Sequence, residues 1–69
     1  MQIQSLVKPE IDMYISLCNF TDDERAYFLC KTLGEMDVAI AFKLSVSTST
    51  VTRIGRRVKA KMVKVGGAQ

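Results

Sequence analysis

The side chains of this sequence that could do chemistry crowd into its second half. Thr48, Ser49 and Thr52 carry hydroxyls, Arg53, Arg56 and Arg57 follow at once, and Lys59, Lys61 and Lys64 extend the basic run. A hydroxyl both donates and accepts, and a guanidinium presents a rigid fork of donors. That mixture suits phosphate oxygens and base edges better than bond breaking. No catalytic constellation competes with it. The chain has no histidine, so acid–base work would fall to carboxylates, and Asp22, Asp23 and Glu24 read as the start of a helix. Gly66 and Gly67 lie near a terminus and do not form a phosphate-cradling loop. Cys18 and Cys30 are the only thiols, too far apart for a Cys-x-x-Cys site, and are read as small buried hydrophobes. We therefore expect no enzyme, no metal and no cofactor.

Charge is distributed unevenly. The net charge is +3 over 69 residues. Residues 1–35 hold Lys8, Arg25 and Lys31 against Glu10, Asp12, Asp22, Asp23, Glu24 and Glu35, a balance of −3. Residues 36–69 hold Lys43, Arg53, Arg56, Arg57, Lys59, Lys61 and Lys64 against Asp37 alone, a balance of +6. A basic half is what a polyanion-binding surface needs, although a solvated helix face can carry the same residues. Hydrophobic residues make up 48% and charged residues 25%, which excludes wholesale disorder. No apolar run approaches the ~20 residues of a membrane span, and no signal peptide is evident, so an intracellular, cytoplasmic protein is expected.

Four helices must position these residues. A chain this short buries only about 60% of its unfolded surface, which favours a few short helices around one seam. Residues 1–8 read as a loose lead-in. Pro9 opens a first helix over 9–18, with Ile11, Tyr14, Ile15 and Cys18 on one face. Thr21 with Glu24 is a capping box for a second helix over 22–33. Phe28, Leu29 and Leu33 are expected to face inward, widened by Tyr27 or Cys30, before Gly34 stops the helix. A third helix over 37–44, without an obvious cap, buries Ile40, Ala41 and Leu44. Ser45, Val46 and Ser47 then turn the chain, and Ser47 caps a fourth helix over 48–64. Val51, Ile54, Val58, Met62 and Val65 recur at spacings of three, four, four and three, a single apolar stripe. Gly55 inside that helix is expected to weaken it by about 1 kcal/mol relative to alanine. Gly66 and Gly67 end it, and Ala68 and Gln69 read as a frayed tail.

The expected architecture is thus a single all-α domain with a C-terminal helix-turn-helix over about 37–64. Such a motif needs a small residue where its helices cross, here Ala41. An apolar plug must fill its turn, here Val46, and apolar anchors must follow on the second helix, here Val51 and Ile54. The second helix then presents its opposite face to the major groove. The residues expected to meet DNA are Ser47, Thr48, Ser49, Thr52, Arg53, Arg56, Arg57 and Lys61.

The span Phe20 to Met62 resembles region 4 of bacterial RNA polymerase sigma factors and the related LuxR-type DNA-binding domain. The resemblance is carried by Phe20, Thr21, Asp22, Asp23, Glu24 and Arg25, by Gly34, and by Ile40, Ala41, Leu44, Val46, Ser47, Thr50 and Val51. The basic helix ending near Lys61 and Met62 completes it. It runs without gaps over about two-thirds of the chain and is most specific between Ile40 and Val51. It implies that Ser47, Thr48, Ser49, Thr52, Arg53 and Arg56 approach DNA, while Ile40, Ala41, Leu44, Val46, Val51 and Ile54 hold the motif together. Ser45 departs from the pattern where glycine is common, as does Gly55 within the recognition helix. The absence of a helix after Val65 fits sigma region 4 better than the LuxR type. A small stand-alone regulator, of the kind phages and mobile elements carry, is what the resemblance implies.

Two functional classes follow. The first is a sequence-specific DNA-binding transcriptional regulator whose partner is double-stranded DNA. The alternative is a protein-interaction module contacting RNA polymerase or another regulator. A homodimer is compatible with either, and neither calls for a membrane. The basic second half favours DNA.

Overall fold

The computed structural model describes residues 3–66. After one 3-10 turn, Ile3–Ser5, come four helices: α1 (Lys8–Leu17), α2 (Asp22–Thr32), α3 (Asp37–Leu44) and α4 (Thr48–Val65). No strand occurs among the described residues, so the all-helical class holds, with each helix within one residue of its expected bounds. No helix among these residues is long and apolar enough to cross a membrane. The expectations for Gly67, Ala68 and Gln69 fall outside the described residues.

Local chemistry sets each start. The Glu10 carboxylate accepts the Val7 N–H at 3.0 Å, and Pro9 lies in the first turn of α1. At α2 the capping box is reciprocal: Thr21 Oγ1 accepts the Glu24 N–H at 3.3 Å, and Glu24 Oε1 accepts the Thr21 N–H at 3.1 Å. Ser47 Oγ accepts the Thr50 N–H at 3.2 Å to open α4. Only α3 starts without a side-chain hydrogen bond at its cap, Met36.

The stops of α2 and α3 share one device. Gly34 at φ +80° turns the chain after α2, donating to Lys31 O at 2.9 Å while Glu35 donates to Cys30 O at 3.1 Å. The same pair of bonds closes α3, from Ser45 to Phe42 O at 3.3 Å and from Val46 to Ala41 O at 3.0 Å. There the left-handed residue is Ser45, at φ 57°. A residue with a Cβ in that region is strained by about 1 kcal/mol relative to glycine. Asn19, at φ 53°, reverses the chain after α1.

The core lies where α2 and α3 pack on α4, with α1 against the far part of α4. Phe28, Ile40, Val51, Val58 and Met62 are the largest fully enclosed side chains, and burying each contributes about 1.5–3 kcal/mol. Phe28 is flanked by Phe20, 5.2 Å between ring centroids, and by the edge of Tyr14 at 6.1 Å. Phe20, ahead of the α2 cap, therefore anchors the entry to that helix by packing on Phe28.

Three expectations are corrected. Leu29 and Leu33 are exposed, and α2 fills its inner face with Tyr27 and Phe28 instead. Residues 1–8 are not merely a lead-in, because Ile3 is buried in a turn that packs on α2. Gly55 is buried and serves packing: a Cβ built there would stand 2.6 Å from Tyr27 Oη and 2.9 Å from its Cζ. The missing side chain lets the Tyr27 ring lie against the α4 backbone.

Candidate nucleic-acid interface

The apolar stripe of α4 decides which of its residues face out. Val51, Ile54, Val58 and Met62 are buried, so the opposite side belongs to Ser49, Arg53 and Arg56, spaced by four and three residues. Thr52 precedes Arg56 by one turn, and Thr48 precedes Thr52. All five are exposed, as is Arg57. Two of the hydroxyls also serve the backbone. Ser47 Oγ caps α4 and lies 3.1 Å from Thr50 Oγ1, while Thr52 Oγ1 donates to Thr48 O at 3.1 Å. Ser47 and Thr52 thus keep acceptor lone pairs for a ligand, and Thr48 and Ser49 keep whole hydroxyls.

Ion pairing separates the basic residues into two sets. Lys8 pairs with Asp12 at 3.6 Å, Lys31 with Asp37 at 2.7 Å, Lys43 with Glu35 at 2.6 Å and Lys61 with Glu24 at 2.5 Å. Arg53, Arg56, Arg57, Lys59 and Lys64 enter no ion pair among the described residues. All five lie on α4, and Arg25 on α2 is the other base outside these ion pairs among the described residues. The first turn of α4 also carries no acid, whereas α1 has Glu10, α2 has Asp22, Asp23 and Glu24, and α3 has Asp37. The N–H groups and positive dipole end of an 18-residue helix therefore face outward beside hydroxyls alone.

Lys61 stands apart from the other expected contacts. Its ammonium donates to Glu24 Oε1 and, at 3.2 Å, to the carbonyl of Asn19. It ties α4 to the α1–α2 junction instead of projecting as a phosphate ligand. Glu24 is buried, which by itself would raise its carboxyl. The Lys61 hydrogen bond, the Thr21 N–H and the charges of Lys61 and Arg57 outweigh that penalty and hold it below the ordinary value. Arg57 accordingly belongs to the flank of α4 nearer α2, off the Ser49–Arg53–Arg56 row. Sequence reading found Glu24 as a cap, but no local signal linked it to Lys61, which lies 37 positions away.

The remaining reactive groups are quiet. Burial pushes the Cys18 thiol up, against the opposing charge of Lys61, which keeps it a poor nucleophile. Both cysteines are free thiols. No group of three or more metal-ligating side chains sits together among the described residues. Against known protein families, curated proteins and solved structures, the chain finds no match.

Proposed function

We propose that this chain is a sequence-specific DNA-binding transcriptional regulator. In this reading α3, the turn Ser45–Ser47 and α4 act as a helix-turn-helix, and α4 enters the major groove. The observation that carries the proposal is the unpaired basic face of α4, set beside a first helical turn free of acid. The resemblance of Ile40 to Val51 to sigma region 4 and LuxR-type domains supports the same reading.

Roles follow from position. Arg53 and Arg56, one turn apart with Ser49 and Thr52, read base edges. Thr48 and the α4 N-terminus meet a phosphate, a setting in which backbone N–H groups and the dipole act together. Arg57, Lys59 and Lys64 supply sequence-independent attraction along the backbone. Lys61 acts inside the fold.

Selection of bound sequences from a random duplex pool tests this. The expected result is one enriched motif for the native chain. Arg53→Ala or Arg56→Ala should cost about 1–3 kcal/mol on that motif and relax the preference at one position. Lys64→Ala should weaken all duplexes alike and lower the salt dependence. A folded chain that enriches no sequence refutes the specific-recognition reading.

A further inference from the structure

Gly55 is the only glycine within α4, and it stands against a single residue of α2. The three atoms nearest to a Cβ built there all belong to Tyr27: Oη at 2.6 Å, Cζ at 2.9 Å and Cε2 at 3.4 Å. The Tyr27 ring is itself held. It is 4% exposed, and the Lys31 ammonium, one turn farther along α2, stands 5.7 Å from its centroid. Lys31 is fixed in turn by Asp37, 2.7 Å away in the first turn of α3. Two neighbouring side chains of α2 thus reach both helices that follow, Tyr27 the backbone of α4 and Lys31 the start of α3. Gly55 also lies between Arg53 and Arg56 in the chain. Arg53 precedes it by two residues, about 200° round the helix, so the ring backs α4 on the side away from that arginine.

We infer that Tyr27 is a positioning residue for DNA recognition: its ring, seated on Gly55, sets how far α4 stands off α2 and so how far Arg53 and Arg56 reach into the groove. The inference rests on the DNA reading of the α4 face and deepens it. Glycine weakens a helix interior, and the close seat of the ring is what this one gains. Any larger residue must open the 2.6 Å contact to ordinary separation, a displacement on the order of 1 Å. The enclosed ring, with Lys31 over it, yields little, so the displacement falls on α4. Hydrogen bonds to base edges weaken steeply with distance and angle. Attraction to phosphates reaches about 8–10 Å at moderate salt and barely notices such a shift. Crowding Gly55 should therefore lower sequence selectivity while sparing sequence-independent binding, a separation that a purely structural contact does not produce.

Titration of the native chain, Gly55→Ala, Tyr27→Phe and the double variant against a selected and a scrambled duplex tests this, with helical circular dichroism recorded for each. Gly55→Ala should bind the selected duplex about five- to a hundredfold more weakly, the worth of one base contact. Its affinity for the scrambled duplex should stay within about twofold of native. Tyr27→Phe removes the nearest atom and should bind like the native chain. Combined with Gly55→Ala, it should restore part of the lost selectivity. Should Gly55→Ala alone not hold its fold, the double variant set against Tyr27→Phe carries the same comparison. Native selectivity in Gly55→Ala, an equal loss on both duplexes, or no rescue by Tyr27→Phe overturns the inference. The contact itself is read without DNA, as nuclear Overhauser effects between the Tyr27 ring and the Gly55 Hα protons of the free native chain. Their absence overturns the inference alone. Their presence in a chain that prefers no duplex refutes the DNA reading, and the inference falls with it.

Discussion

Helices α2 and α4 begin alike and end up with opposite tasks. Each is opened by a hydroxyl, Thr21 or Ser47, accepting an N–H from three residues on. At α2 the next residues are Asp22, Asp23 and Glu24, so the positive end of the helix is neutralised by its own side chains. Glu24 then closes the site, accepting from Thr21 and from Lys61 of α4. At α4 the next residues are Thr48, Ser49 and Thr50, and nothing within the first turn offsets the dipole. The same cap thus yields a closed structural joint in one place and an end open to an external anion in the other. What differs is three side chains, and with them where the compensating negative charge must come from.

Glu24→Gln breaks the closed end and should have the largest effect on stability. It removes the charge that Lys61 pairs with while leaving an amide oxygen to accept the Thr21 N–H, and should cost about 2 kcal/mol. The pH dependence should change with it. The Glu24 carboxyl lies below its ordinary value in the folded chain, so its contribution is complete above the usual carboxylate range and is lost as pH falls through the folded value. Chemical denaturation of the native chain at a series of pH values should show that acid loss, and Glu24→Gln should lack most of it. Equal acid sensitivity in both would show that Glu24 does not hold the joint.

A smaller effect is expected at Gly55, where α2 and α4 touch through Tyr27. On an exposed helix, glycine to alanine gains about 1 kcal/mol. Here the added methyl would press on the enclosed Tyr27 ring, at a cost of about 1–3 kcal/mol, so Gly55→Ala should lose stability on balance. A thermal melt shifted upward would contradict the close approach.

The smallest change in stability, and the sharpest comparison, is Thr48→Asp, which gives α4 the acidic opening of α2. An acid in the first turn should stabilise the fold by about 0.3–1 kcal/mol. The same acid should weaken DNA binding about tenfold, because it occupies the end left for a phosphate. Asp22→Ser at α2 should cost a few tenths of a kcal/mol and leave DNA binding unchanged. Thermal melts and duplex titrations of both variants check the crossing. Parallel behaviour would erase the distinction between the two ends.

What was legible in the sequence was what depends on near neighbours. Pro9, the Thr21 and Ser47 caps, the Gly34 stop and the apolar stripes such as Val51 to Met62 each involve residues within a turn or two, and together they placed the helices. What was hidden depends on contacts between helices. Gly55 looked like a weak point because Tyr27, its neighbour in space, is 28 positions earlier. Lys61 looked like one more surface base because Glu24 lies 37 positions earlier. Leu29 and Leu33 have the right helical spacing for a core, but spacing defines a row without saying which row another helix covers. Ser45 could be flagged as a substitute for glycine, since its strain is a property of one residue, and the structure does place it at φ 57°.

Titration of the folded native chain and of the double variant Arg53→Glu with Arg56→Glu against duplex DNA, at several salt concentrations, tests the central claim most directly. The account expects measurable binding by the native chain at low salt, falling steeply as salt rises. The double variant should keep its melting behaviour, because both side chains are exposed and unpaired within the described residues. It should lose affinity by on the order of a hundredfold or more. Binding by the double variant equal to that of the native chain, or no binding by the native chain at low salt, would contradict the assignment of the α4 face to DNA.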